Sequence, residues 1–313
     1  MSLSSLTASA LSFTGLVILA LGAHWLVRGA SRLATHFGVS PLLVGLTVVA
    51  YGTSSPEIVA SVIAALGGHP EMTVGNVLGS NVANIGLVLG CIAIVAPMNV
   101  AASVLKRELP LLLGVTVLFF ACALRLELGR GVGLAFIALL VFFNYLSIRW
   151  ARGEAPPSRP ATPSTHSLAS SSAFTVFGLI LLMGGAQLLV TGAVSLARSI
   201  GLSEFIIGAT LVAVGTSTPE LATSFVAGLR GEADLVVGAI IGSNLFNILG
   251  AIGVSATLRT LPIDEKLLYF ELPALVGFTL LMAIFLYTGR RIVKWEGMVL
   301  LGCYAVFMGL LFR

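Results

Sequence analysis

Glu57 and Glu220 each stand directly after a proline in the middle of a long apolar stretch. They close the hexapeptides Gly52-Thr53-Ser54-Ser55-Pro56-Glu57 and Gly215-Thr216-Ser217-Thr218-Pro219-Glu220. A carboxylate deep in hydrocarbon is costly and marks a functional site by default. Pro56 has no N–H, so the Gly52 carbonyl loses its helical partner, and Pro219 does the same to Gly215. In lipid a freed carbonyl is tolerated only where something else satisfies it, and a bound cation can do so. Thr53, Ser54, Thr216 and Ser217 add hydroxyls, with Ser54 three residues before Glu57 and so on the same helix face. Hard cations take about six to eight oxygen ligands from carboxylates, carbonyls and water. Two such turns facing each other supply that kind of set. Their two carboxylates neutralise one divalent ion or leave room for monovalent ones. No histidine or cysteine joins them, which argues against zinc or copper.

A second pair of motifs extends the cluster. Ser80 and Asn84 are four apart, as are Ser243 and Asn247, so each pair shares a helix face and offers uncharged oxygens suited to Na⁺. Asn81 and Asn244 follow each serine and are expected to point elsewhere, into packing between helices. Glu108 and Glu271 precede prolines at helix starts, where capping a positive helix end explains them. His24, His36, His69 and Arg198 are expected near segment ends, facing the interface. There is no partnered nucleophile and no HExxH motif, so the chain does not read as an intramembrane hydrolase or as any enzyme. A channel would share the cluster but would pass ions without counter-transport.

The elements that must position these residues are membrane helices. The 313-residue chain is 57% hydrophobic and only 10% charged, beyond the range of soluble domains. Ten apolar stretches of about 20 residues, the length that crosses the hydrocarbon as helix, lie near 10–34, 40–67, 72–97, 107–124, 131–150, 172–199, 203–229, 234–258, 267–288 and 294–312. The first lacks the basic start and cleavage site of a signal peptide. Cys91, Cys122 and Cys303 have no paired spacing and read as small apolar residues. The basic residues are dispersed, so no nucleic-acid partner is expected, and no obligatory protein partner is evident.

A Pro- and Ser-rich linker at 151–171 divides the chain into 1–150 and 172–313. The halves are copies: at an offset of 163 residues, positions 22–90 fall on 185–253 without a gap, with 31 of 69 pairs identical. The repeated motifs span 45–90 and 208–253. Five helices per copy make the second copy enter the membrane from the opposite side. The expected fold is therefore an all-α membrane protein of ten transmembrane helices in two inverted five-helix repeats, the architecture of secondary transporters. Ten Lys and Arg fall in the loops on one side and six on the other, with Arg28 inside the first helix left out. The positive-inside rule then places both termini outside and the linker in the cytoplasm.

The paired GTSSPE…GNVLGSNVAN and GTSTPE…GAIIGSNLFN motifs resemble the two alpha-repeats of the calcium/cation antiporter superfamily, and in particular prokaryotic sodium/calcium exchangers. The resemblance covers both halves and implies a plasma (inner) membrane protein that exchanges Ca²⁺ for Na⁺ by alternating access. Both ions are substrates and no cofactor is implied. In the alternative, the exchanger is H⁺-coupled or K⁺-dependent. Helices 1 and 6 would slide over the remaining bundle. Carried over by position, the resemblance gives Ca²⁺ the Glu57 and Glu220 carboxylates and the Thr53 and Thr216 carbonyls. It gives Na⁺ Ser54, Ser80, Ser217, Ser243 and the Ala50 and Ala213 carbonyls, with Asn84 and Asn247 lining the middle. The chain departs from the pattern at Asn247, where some relatives carry aspartate, and at Ala239, the partner of Asn76. The second change is expected to bear on helix packing more than on ligation.

Overall fold

The computed structural model describes residues 5–153, 167–201 and 213–311. Helix starts follow local rules. Ser40 accepts a hydrogen bond from the Leu43 N–H, and Pro41 opens the next helix where its missing N–H costs nothing. Pro70 opens another in the same way.

In chain order the helices are α1 (Ser5–Phe37), α2 (Pro41–Thr53), α3 (Ser55–Leu66), α4 (Pro70–Val95), α5 (Ala102–Lys106), α6 (Glu108–Ala123), α7 (Arg130–Gly153), α8 (Leu168–Ser199), α9 (Ala213–Thr216), α10 (Thr218–Leu229), α11 (Ala233–Leu258), α12 (Leu267–Gly289) and α13 (Lys294–Leu311). Most recur at the 163-residue offset. Among the described residues, seven helices are long and apolar enough to cross a membrane, and the bent pair α2–α3 makes eight. The apolar α6 has only 16 residues. The first part of the expected 203–229 span lies outside the described residues, as do Arg159 and His166 of the expected linker. That linker is shorter than its composition suggests, because α7 runs on to Gly153 and α8 starts at Leu168.

Extended structure among the described residues is limited to four two-residue strands, β1 (Met98–Asn99), β2 (Glu127–Leu128), β3 (Leu261–Pro262) and β4 (Arg291–Ile292). They pair across the halves, β1 with β4 and β2 with β3, both antiparallel.

α1 and α8 occupy equivalent places in the two copies and pack on each other along nearly their whole length. Gly15, Gly22 and Gly29 face Leu189, Leu182 and Thr175 in turn, so the two helices run antiparallel. Gly178, Gly185 and Gly192 fill the reciprocal places. A Cβ at Gly22 would fall on the backbone of Leu182, so the seven-residue glycine spacing brings bare backbones together. The core lies in the other helices. Leu78, Ile85 and Leu89 of α4 and Ile248, Leu249 and Ile252 of α11 are buried, whereas much of the apolar surface of α1 and α8 is exposed, as lipid contact requires.

Candidate ion-binding site

Both copies of the proline motif break their helix in the same way. Ser54 separates α2 from α3 with φ −88° and ψ 5°, and Ser217 separates α9 from α10 with φ −87° and ψ 5°. The α2–α3 bend is 45°. The break follows from the sequence: Pro56 and Pro219 sit in the first turn of the continuing helix, where proline is tolerated, and the preceding turn loses a bond. Gly52 and Gly215 leave room at the break for Leu179 and Val190, both from α8.

The break delivers Glu57 and Glu220 to the interior, 1% and 5% exposed. The carboxyl groups lie close enough for each charge to act on the other. Ser54 Oγ crosses between the copies and donates to Glu220 Oε1 at 2.8 Å. Helices α4 and α11 complete the cluster. Asn247 Nδ2 donates to Ser80 Oγ at 3.1 Å, and Asn84 Nδ2 donates to Asn244 Oδ1 at 3.0 Å. Ser80, Ser243, Asn84 and Asn247 are all buried.

Both asparagines fall in π-helical turns, Asn84–Leu89 and Phe246–Ile252. Such turns often sit at functional sites, because the wider pitch re-aims side chains and loosens backbone bonding. Nothing in Asn-Ile-Gly-Leu-Val-Leu distinguishes them from ordinary helix, and sequence reasoning missed them.

Asn244 packs between helices as expected, but toward the cluster rather than away from it. Its amide oxygen takes the Asn84 amide and so belongs to the cluster. At a close crossing of small residues, a side chain 100° round the helix can still reach the neighbour. Asn81 instead turns back on its own helix and donates to Val77 O at 2.7 Å. Asn76 donates to Ser61 Oγ at 3.0 Å and to the Glu57 carbonyl at 3.3 Å, which is the packing role foreseen for it. Glu271 makes no side-chain cap bond, so capping does not account for it. His24 lies in mid-helix rather than at an end.

The remaining expected residues fall around the break. The Thr53 hydroxyl bonds back to Val49 O and Ala50 O, the ordinary habit of threonine in a membrane helix. The Ala50 carbonyl also accepts the Ser54 N–H at 2.9 Å, so it would have to release a protein bond to ligate an ion in this arrangement. Thr216 is half-buried in α9, and Ala213 opens that helix.

The cluster leaves oxygens unpaired. Glu57 Oε2, Glu220 Oε2, Asn84 Oδ1, Asn247 Oδ1, Ser217 Oγ and Ser243 Oγ are buried with no hydrogen-bond partner. Buried polar atoms are nearly always satisfied, so several orphans in one region need a physical account. All six can face a cation, and two belong to carboxylates. The donor set is hard, oxygen-only and carries two formal negative charges. It suits Ca²⁺ or Na⁺ and does not suit a soft metal.

Comparison with known proteins agrees with this chemistry. A family model described as "Sodium/calcium exchanger protein" matches residues 7–149 and 170–313. The protein CaxA of Alkalimonas amylolytica is 40% identical over 98% of this chain and 99% of its own length. The sodium/calcium exchanger MaX1 of Methanosarcina acetivorans is 33% identical over 95% of this chain and 96% of its own. Among solved structures, the sodium-calcium exchanger NCX_Mj superposes with a TM-score of 0.85 at 31% identity, covering 97% of this chain and 98% of that one.

Proposed function

The chain belongs to the sodium/calcium exchanger family, multi-pass membrane transporters rather than enzymes, and we propose that it exchanges Ca²⁺ for Na⁺ at the buried oxygen cluster by alternating access. The observation that carries this reading is the pooling of oxygens from two copies of one motif. Glu57 and Glu220 lie within electrostatic reach of one another, Ser54 bridges to Glu220, and six buried oxygens are left for an ion.

In this reading ten helices form two inverted repeats, 1–150 and 172–313. Two features of the packing support the inversion. Equivalent helices α1 and α8 run antiparallel. β1 pairs not with its own equivalent β3 but with β4, from the opposite end of the other repeat. Both termini lie outside and the linker in the cytoplasm of an inner membrane, as the basic loops favour.

Glu57, Glu220 and the Thr53 and Thr216 carbonyls take Ca²⁺. Ser54, Ser80, Ser217, Ser243, Ala50 and Ala213 provide for Na⁺, with Asn84 and Asn247 between. The ions share oxygens and therefore compete. A loaded site neutralises the two carboxylates, so α1 and α8 can slide past it, whereas an empty charged site holds them back. Coupling then follows from the different affinities of the two conformations for loaded and empty protein.

Vesicles containing the purified chain test this directly. Ca²⁺ uptake should follow an imposed Na⁺ gradient and ignore K⁺ or H⁺ gradients imposed separately. Uptake driven by a pH jump without Na⁺, or insensitive to all three gradients, would reject Na⁺ as the coupling ion.

A further inference from the structure

α1 is about 50 Å long at 1.5 Å per residue, well beyond the ~30 Å of hydrocarbon, so its ends tilt or emerge into the headgroups. In its C-terminal half, His24, Arg28 and Arg32 follow one another at one-turn intervals. The Arg28 guanidinium sits 5.7 Å from the Trp25 ring and 5.6 Å from Phe174, and that of Arg32 sits 4.7 Å from Phe174. Arg230, from the turn between α10 and α11, reaches α1 and donates to His24 Nδ1 at 2.7 Å. Three arginines from two separate elements thus converge. Among the described residues none of the three forms an ion pair, and Glu232 acts on Arg230 only from beyond ion-pair range. Partial burial, and then the charge of Arg28, pull the Arg230 pKa below its ordinary value.

The other copy of the repeat supplies the control. The positions equivalent to His24, Arg28, Arg32 and Arg230 are Gln187, Thr191, Ser195 and Gly67. None is charged, and Gln187 bonds to its own neighbour Thr191. The ion cluster requires identity at its own positions and nothing here. A rule that asks only for cations in loops does not require two of them on one aromatic platform with a third brought in from another element.

We propose that Arg28, Arg32 and Arg230 bind the phosphate of an anionic phospholipid headgroup, beside the turn that joins α10 to α11. Guanidinium groups grip phosphate oxygens in pairs, and anionic leaflets attract such clusters. The surroundings favour a lipid over a free anion. Val17 and Leu21, on the same face of α1 and deeper along it, are 43% and 49% exposed, and Phe177 of α8 is 52% exposed. They form an apolar track for acyl chains leading away from the arginines. The headgroup would bridge α1 to the α10–α11 turn and so tie lipid composition to the movement of α1. The site does not depend on which ion is exchanged.

The test is thermal unfolding of the full chain in detergent, with added phosphatidylglycerol, with phosphatidylcholine of the same acyl chains, or with inorganic phosphate. Phosphatidylglycerol should raise the melting temperature saturably and more than phosphatidylcholine does, and inorganic phosphate should neither reproduce nor compete with the effect. Replacing all three arginines with glutamine should remove the phosphatidylglycerol-specific increment, replacement with lysine should keep part of it, and Arg290→Gln with Arg291→Gln should leave it intact. If the triple glutamine variant does not fold, Arg32→Gln and Arg230→Gln singly should each raise the half-saturating lipid concentration about tenfold, the loss of one charge-assisted contact. An undiminished increment in the variants, equal effects of the two lipids, or full replacement by inorganic phosphate would overturn the proposal.

Discussion

The two copies of the ion cluster hold the same residues yet bond differently. Ser54 donates across to Glu220, whereas its equivalent Ser217 finds no partner. Asn247 donates to Ser80, but Asn84 donates to Asn244 and leaves the Ser243 hydroxyl unpartnered. Chemistry is symmetric here and geometry is not. Under the proposed inversion of the copies, this is the expected form of a single resting state, since exchanging the roles of the copies would generate the opposite-facing state. A second asymmetry is of another kind. Asn76 braces Ser61 and the Glu57 carbonyl, while Ala239 has no side chain able to do the same for Ser224 and Glu220. That difference is written in the sequence and persists in either state.

The largest effect should be blind to both asymmetries. Glu57→Gln and Glu220→Gln each remove half of the buried negative charge that offsets a divalent ion, and each should lower Na⁺-driven Ca²⁺ exchange in vesicles by at least about 100-fold, some 2.7 kcal/mol. Strong residual exchange in only one of the two would mean that the copies do not share one site.

Ser54 and Ser217 should separate conformation from chemistry. Ser54→Ala strips Glu220 of its hydroxyl donor, and hydrogen bonds to charged groups contribute about 1.5–3 kcal/mol, so the half-saturating Ca²⁺ concentration should rise roughly tenfold. The rise should hold only for Ca²⁺ presented from the side to which this conformation opens. Ser217→Ala should have the complementary effect for Ca²⁺ presented from the other side. Equal effects of both variants from both sides would break the role exchange.

The symmetric part of this picture was legible in the residues, and the asymmetric part was not. Pro56 and Pro219 announce their helix breaks because a missing N–H is a local fact, and Glu57 and Glu220 announce themselves by their cost in lipid. The 163-residue offset makes each copy confirm the other. The bond from Ser54 to Glu220 could not be read, since it depends on how far two separate elements have moved relative to each other. Nor could the place of Asn244, which follows from a close crossing, or the π-turns, which any apolar helical sequence can accommodate. The capping role expected for Glu271 failed because the preceding π-turn at Leu267–Glu271 already continues the helix through the position where a cap would sit.

Asn76 offers the smallest and sharpest test. Its amide joins α4 to α3 through Ser61 and the Glu57 carbonyl, and Thr73 adds a bond to Ser61 O at 2.8 Å. In the second copy the equivalents of Asn76 and Thr73 are Ala239 and Val236, neither of which can donate a hydrogen bond from its side chain to the α10 residues behind Glu220. The first copy therefore braces its glutamate from behind through the Glu57 backbone carbonyl, whereas Glu220 takes the Ser54 hydroxyl from across the repeat. Asn76→Ala removes neutral hydrogen bonds contributing about 0.5–1.5 kcal/mol each, which should slow exchange about threefold and lower the melting temperature by a few degrees. If bracing is what Asn76 supplies, Ala239→Asn should stiffen the second copy, raise the melting temperature and also slow exchange, because a transporter needs one compliant side. Faster exchange in Ala239→Asn, or an Asn76→Ala chain that loses ion affinity without losing stability, would show that Asn76 acts on the ion itself and that the two copies differ in ligation rather than in stiffness.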